Sequence, residues 1–265
     1  MTPDALTDLD VAHRLADAAR SAILPWFRQD GLSAENKAAS GFDPVTAADK
    51  AAETAMRSLL AELRPEDGIL GEEFARAEGT SGRDWVLDPI DGTRAFLSGT
   101  PTWGVLIALA DADGPFLGMI DQPYIGERFA GAEGAASMTG PHGPRALRTR
   151  ATARLDEAIL FTTFPEVGTP SDRAGFEAVA EEARLTRYGM DCYAYALLAA
   201  GQIDLVIEAG LQSYDIMAPI ALIEAAGGVV TNWNGGPAHG GGQALAAANA
   251  ELHAQALSLL RPYAA

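Results

Sequence analysis

Apolar residues recur at helical spacing near the start of the chain. Leu6, Leu9, Ala12, Leu15, Ala16, Ala19 and Ile23 fall on one face of a predicted helix. Thr2-Pro3, just ahead of them, reads as its N-cap and first helical position. A second stripe, Ala52, Ala55, Met56, Leu59, Leu60 and Leu63, follows "SGFDPV" and stops at Pro65. The helical period then gives way to short apolar runs. Residues 68–71 and 84–87 predict two strands, each delivering acidic residues at its C-terminal end. From 103 to about 130 the pattern predicts strands broken at "DADG" and "QPYIG", an antiparallel meander.

Gly and Pro punctuate the pattern at residues 139–144, "TGPHGP", which divides the chain into halves 1–140 and 141–265. Beyond it, 158–164 reads as a strand, 171–183 as a helix and "IDLVIE" as a strand. Residues 215–226 predict a helix stopped by Gly227-Gly228, followed by a strand at 229–231 and a last helix capped by Asn249. This alternation predicts α/β architecture for the second half, against α+β for the first. "GGPAHGGG" reads as a loop, and no internal repeat is visible.

A chain of 265 residues with 48% hydrophobic content can bury a real core. Its single cysteine, Cys192, forms no internal disulfide, which fits a reducing compartment. The opening "MTPDALTDLD" is acidic and does not read as a signal peptide, and no apolar run approaches the ~18 residues of a membrane span. A soluble cytoplasmic protein without a membrane partner is expected. The net charge of −17 argues against a nucleic-acid partner, because phosphate backbones are held by clustered Lys and Arg. It leaves room for a small phosphorylated substrate, since bound divalent cations reverse the local field.

The candidate chemistry lies in "WVLDPIDGTRAFLSG", residues 85–99. Pro89 biases Asp88 toward extended backbone, so Asp88 is expected to end its strand. Gly92 permits a sharp bend, and "TRAFLS" opens as a short helix whose first N–H groups point back toward the acids. Carboxylates and a helix N-terminus at one point can hold cations and an anion together. Hard cations such as Mg²⁺ take oxygen ligands and share sites with substrate phosphate. Asp-Pro-Ile-Asp-Gly is also what an ordinary turn is made of. Three more acidic places add weight, although each has a plain use as well. Glu72-Glu73 ends a strand, Asp215 stands where a helix N-cap belongs, and Thr46-x-x-Asp49 reads as a capping box.

Glu72-Glu73, the run Asp88-Pro89-Ile90-Asp91-Gly92-Thr93, and Tyr214-Asp215 with eleven residues before Gly227-Gly228 together resemble the inositol monophosphatase superfamily. These are Mg²⁺-dependent, lithium-sensitive sugar-phosphate phosphatases. Tyr214 departs from the family, which usually has Trp there. The resemblance implies a layered αβαβα sandwich of the inositol monophosphatase and fructose-1,6-bisphosphatase type, and commonly a homodimer. It implies Glu72, Asp88, Asp91 and Asp215 as ligands of two or three Mg²⁺, with the Ile90 carbonyl completing one site and Asp88 bridging. Thr93 and Asp49 would hold and help deprotonate the attacking water, with Glu72 grouped beside them as catalytic. Backbone N–H groups of Gly92 and Thr93 would bind the phosphate.

Two further stretches, "RYGMDCYAYALLAAGQIDLVIE" and "SGTPTWGVLIAL", resemble the histidinol-phosphate phosphatase branch. Inositol-specific members typically have a small residue where Asp191 stands. The implied substrate is L-histidinol phosphate, with Asp191 and Glu208 against its cationic end and Arg187 reaching either the substrate or a neighbouring carboxylate. Asp191 could instead cap the helix "CYAYALLAA", and Tyr193 and Tyr195 read as packing residues. The competing readings are a broad sugar-phosphate phosphatase and a non-catalytic binding homologue. Retention of all four carboxylates with Thr93 and Asp49 speaks against the latter.

Overall fold

Thr7 caps the first helix. Its hydroxyl accepts the Asp10 N–H at 3.1 Å, and the Asp10 carboxylate takes the Thr7 N–H at 3.0 Å. The Thr2-Pro3 pair lies outside the described residues, which are 6–29, 35–36 and 44–265 of this computed structural model. The helix, α1 (Asp8–Ile23), lies beside α2 (Ala47–Leu63), and a small hairpin of β1 (Glu35–Asn36) and β2 (Pro44–Val45) stands between them in sequence.

A seven-stranded sheet follows in the order β3 (Gly68–Gly71), β4 (Asp84–Asp91), β5 (Gly104–Asp111), β6 (Gly114–Gln122), β7 (Glu127–Ala132), β8 (Ala135–Thr139) and β9 (Arg145–Ala146). Only β3 and β4 pair in parallel; the others form the antiparallel meander. Residues 139–144 make the turn from β8 into β9 of this same sheet. The short helix α3 (Thr93–Ser98) leaves the end of β4. A second, five-stranded sheet has the order β11 (Leu185–Tyr188), β10 (Ile159–Thr162), β12 (Leu205–Leu211), β14 (Gly242–Ala247) and β13 (Val229–Thr231). The helices α4 (Pro170–Ala180), α5 (Asp191–Ala199), α6 (Ser213–Ala225) and α7 (Ala250–Leu260) complete the described α-helices.

Three apolar cores order the layers as αβαβα. One joins α1 and α2 to the outer face of the first sheet. The second joins the inner faces of both sheets through α5 and α6, and the third sets α4 and α7 against the far face of the second sheet. The amino-acid pattern matches these positions. α1 buries a single stripe, whereas α6 is apolar on every side, as a helix between two sheets must be. Its close approach needs Gly118 in β6, where a Cβ would lie 2.1 Å from the Ala218 carbonyl oxygen.

The strand β4 does not end at Asp88. It continues to Asp91 through a register shift against β5 that contains Pro89. A bulge leaves a residue outside the ladder, so a proline lacking an N–H is tolerated there.

Candidate metal centre and substrate cleft

The strand end of β4 and the first turn of α6 bring three acids together. Carboxylate oxygens of Asp88, Asp91 and Asp215 all lie within 4.8 Å of one another. Asp88 folds back on the bulge, accepting the Ile90 N–H at 3.0 Å. Asp91 accepts the Cys192 N–H at 2.6 Å, which ties β4 to α5. Asp215 is the third residue of α6 rather than its N-cap; Gln212 is the cap, and the Asp215 carboxylate accepts the Gln212 N–H at 2.7 Å. Glu72, at the end of β3, joins the group, its N–H bonded to the Leu87 carbonyl at 3.2 Å and its charge among those acting on Asp88.

These four acids are electrostatically costly to hold together. Burial, then the charges of Glu72, Asp91 and Asp215, push the Asp88 carboxyl well above its usual range. Burial and the neighbouring Asp215 and Asp191 do the same to Asp91, opposed by the Cys192 thiol. Among the described residues lining this cleft, Arg94 is the one basic side chain. A cluster of oxygen donors with so little cationic compensation suits hard divalent cations, and the donor set of carboxylates and one carbonyl is theirs rather than that of zinc or copper.

The cleft has a volume of about 290 Å³ and is lined by Glu72, Asp88, Ile90, Asp91, Gly92, Thr93, Asp191, Glu208 and Asp215, among others. Gly92 sits at φ +84°, where a Cβ would come within 2.8 Å of the Asp191 carboxyl carbon. It starts α3 without a side-chain cap, and the Thr93 hydroxyl donates to the Ile90 carbonyl at 3.2 Å. Asp191 does not cap α5. Met190 holds that position, while Asp191 is held at φ +46° with its carboxylate accepting the Thr102 hydroxyl at 2.8 Å. A left-handed backbone at a non-glycine residue is strained, and such strain collects at functional sites. Burial raises the Asp191 carboxyl, against the opposing effects of Thr102 and Arg94.

Glu208, in β12, lines the same cleft. It accepts the Thr163 N–H at 3.0 Å, the Thr163 hydroxyl at 2.5 Å and the Tyr195 hydroxyl at 3.0 Å. Burial nevertheless lifts its carboxyl to about 7. Tyr195 thus works in the cleft wall, whereas Tyr193 bonds Glu127 outside it. Cys192 also lines the cleft, but burial and the adjacent Asp91 push its thiol well up, so it is no nucleophile.

Two of the expected site residues do not line the cleft. Arg187 is exposed on β11, the edge strand of its sheet. Asp49 is fully buried at the start of α2, its carboxylate accepting the Thr46 N–H at 2.9 Å and the Thr46 hydroxyl at 2.5 Å. Conversely, Thr102, Thr163 and Tyr195 hold the cleft's carboxylates with no sequence signal of that duty. The Arg94 guanidinium lies 4.9 Å from the Phe164 ring, and both line the cleft. Gln212 alone carried a signal, since Gln212-x-x-Asp215 has capping-box spacing.

The profile of the inositol monophosphatase family matches residues 5–264. The chain belongs to the inositol monophosphatase family. It is a phosphatase of that family, whose members are typically metal-dependent. A histidinol-phosphatase of Streptomyces coelicolor is 36% identical over 97% of this chain and 98% of its own. A chloroplastic bifunctional phosphatase of Arabidopsis thaliana is 40% identical over 86% of this chain, which spans just under two thirds, 66%, of that relative. Among solved structures, an inositol monophosphatase from Zymomonas mobilis superposes with a TM-score of 0.84 at 42% identity, covering 96% of this chain and 97% of that one.

Proposed function

We propose that the protein is a Mg²⁺-dependent phosphomonoesterase that hydrolyses L-histidinol phosphate to L-histidinol and phosphate. One observation carries the choice of substrate: the cleft that holds the metal-type acids also holds two further carboxylates, the buried Glu208 and the half-buried Asp191. The likeness to the Streptomyces histidinol-phosphatase supports it. Histidinol phosphate offers an ammonium and a protonatable imidazole to these carboxylates. A neutral polyol would leave them without a charged partner, which is the costly case for a buried charge.

The reaction demands more than a base. Uncatalysed phosphate-monoester hydrolysis needs accelerations approaching ~10²¹-fold, and general-base catalysis supplies about 10²–10⁴-fold. Held by Glu72, Asp88, the Ile90 carbonyl, Asp91 and Asp215, two or three Mg²⁺ would neutralise charge on the phosphate and acidify water. The chain's own groups do the rest. Backbone N–H groups of Gly92 and Thr93 cradle the phosphate at the start of α3. The Thr93 hydroxyl, kept beside the Ile90 carbonyl, orients the attacking water. Glu72, which lines the cleft, is the proposed acceptor of its proton, with Asp49, buried in the α2 cap and not in the cleft lining, assisting from outside it. Asp191 and Glu208 hold the cationic alcohol while the phosphorus–oxygen bond to it breaks.

Asp191→Asn tests the substrate. It keeps an oxygen for the Thr102 hydroxyl but removes the charge. Loss of a charged hydrogen bond of about 1.5–3 kcal/mol predicts a fall in kcat/KM of about 10–100-fold for L-histidinol phosphate. Turnover of myo-inositol 1-phosphate is expected to hold level or rise. An unchanged ratio between the two substrates would sink the assignment.

A second reading, an inositol monophosphatase or broad sugar-phosphate phosphatase, is favoured by the likeness to the Zymomonas enzyme. It shares every metal residue and differs only at Asp191 and Glu208. Following the family resemblance we further infer a cytoplasmic homodimer; light scattering at twice the chain mass is the expected result, and a monomer would refute it. The free, buried Cys192 is consistent with that compartment. No helix among the described residues is long and apolar enough to cross a membrane.

A further inference from the structure

We propose that Glu53 is a positioning residue of the metal centre, its buried carboxylate clamping the chain on both sides of Glu72. The inference rests on the reading of Glu72 as a metal ligand. Glu53 stands one turn after Asp49 on the buried face of α2, fully shielded from solvent. An acid in a core face is expensive unless its bonds are made. One oxygen accepts the Glu73 N–H at 2.7 Å, and the other accepts Arg57 Nε at 2.7 Å. The carboxylate occupies the space where residue 71 would carry a side chain: a Cβ on Gly71 would sit 1.9 Å from Oε1 and 2.4 Å from the carboxyl carbon.

Arg57 extends the grip. Its Nη2 donates to the Phe74 carbonyl at 3.1 Å, and its guanidinium lies 5.9 Å from the Phe74 ring. From one helix, then, a Glu–Arg pair four residues apart holds residues 71, 73 and 74. Glu72 is the member of that run which turns toward Asp88. On its other side the Glu72 N–H is fixed to the Leu87 carbonyl of β4. A buried ion pair adds little net stability compared with apolar side chains of the same volume. Its use here is to fix where a liganding carboxylate starts from, the duty of groups that stand behind metal ligands.

Glu53→Gln tests this, because its single amide oxygen can accept only one of the two donors and the other loses its partner. Mg²⁺ affinity measured by calorimetry on the full chain is expected to fall about 10–100-fold, while kcat at saturating Mg²⁺ falls less. In a Glu72→Gln background the same change is expected to add almost nothing, since it acts through Glu72. Wild-type Mg²⁺ affinity with a lowered Tm alone would make Glu53 a scaffold residue and overturn the proposal. So would losses that multiply in the double variant. If Glu53→Gln does not fold, Gly71→Ala displaces the carboxylate by its Cβ and is expected to weaken Mg²⁺ binding likewise; a folded Gly71→Ala with unchanged affinity overturns the proposal. Undiminished binding in Glu72→Gln alone would instead remove the ligand reading beneath it.

Discussion

Asp88→Asn is expected to abolish turnover and, in metal-free protein, to raise stability. Asp88 is 2% exposed and crowded by Glu72, Asp91 and Asp215, and its folded-state carboxyl lies well above the usual range. A raised carboxyl binds its proton more tightly folded than unfolded. Its contribution to stability is therefore full below the ordinary value of about 4 and is lost as pH rises through the raised value. Asparagine is neutral throughout, so the variant escapes that loss and its metal-free Tm at pH 7 exceeds wild type. It also keeps an oxygen for the Ile90 N–H, which preserves the bulge. Turnover fares oppositely. If Asp88 is the metal ligand proposed above, losing it would forfeit several kcal/mol of transition-state charge stabilisation, about 10³-fold or more in kcat. Thermal unfolding and phosphate release on one preparation decide it; a destabilised metal-free variant at pH 7, or one that retains activity, would show that Asp88 is a structural acid.

Adding Mg²⁺ to metal-free protein is expected to raise its stability, and more so at neutral than at acid pH. At 100 times the dissociation constant the gain is about 2.7 kcal/mol. The pH dependence follows from Asp88 and Asp91, whose carboxyls are both raised by burial and by neighbouring acids. Cations require the ionised forms, so binding must expel whatever protons these groups carry. Titration calorimetry in buffers of different ionisation enthalpy measures that release directly. Without metal, stability should fall as pH climbs from about 4 through the raised values; with metal the fall should flatten. A Tm indifferent to Mg²⁺ across that range would remove the metal centre from the account.

How far the chain declares itself depends on how local each signal is. The stripes of α1 and α2 and the antiparallel meander were readable because each needs only a neighbouring period. The Asp88–Asp91 pair is four residues of one strand, and Asp49 and Asp215 sit at helix starts where carboxylates are expected. Non-local facts were not readable. Thr102 reaches Asp191 across 89 residues and Thr163 reaches Glu208 across 45, with no local pattern to mark either. Pro89 suggested a strand end because a regular ladder rejects proline, and a bulge does not. β11 has almost no buried face, so no alternation marks it; the sequence leaves Arg187 open between the substrate and a neighbouring carboxylate, and the structure puts it on an exposed edge outside the cleft lining. The left-handed Asp191 has no signature in composition at all.

Phosphate release from L-histidinol phosphate and from myo-inositol 1-phosphate, with Mg²⁺ and again with a chelator, decides both the substrate and the need for metal. The predicted result is chelator-sensitive release with L-histidinol phosphate preferred by about tenfold or more, as one desolvated charge pair would give. Equal turnover, or a preference for the inositol ester, would contradict the reading of Asp191 and Glu208 while sparing the acidic cluster. Release that persists in the chelator would contradict the metal-dependent mechanism itself.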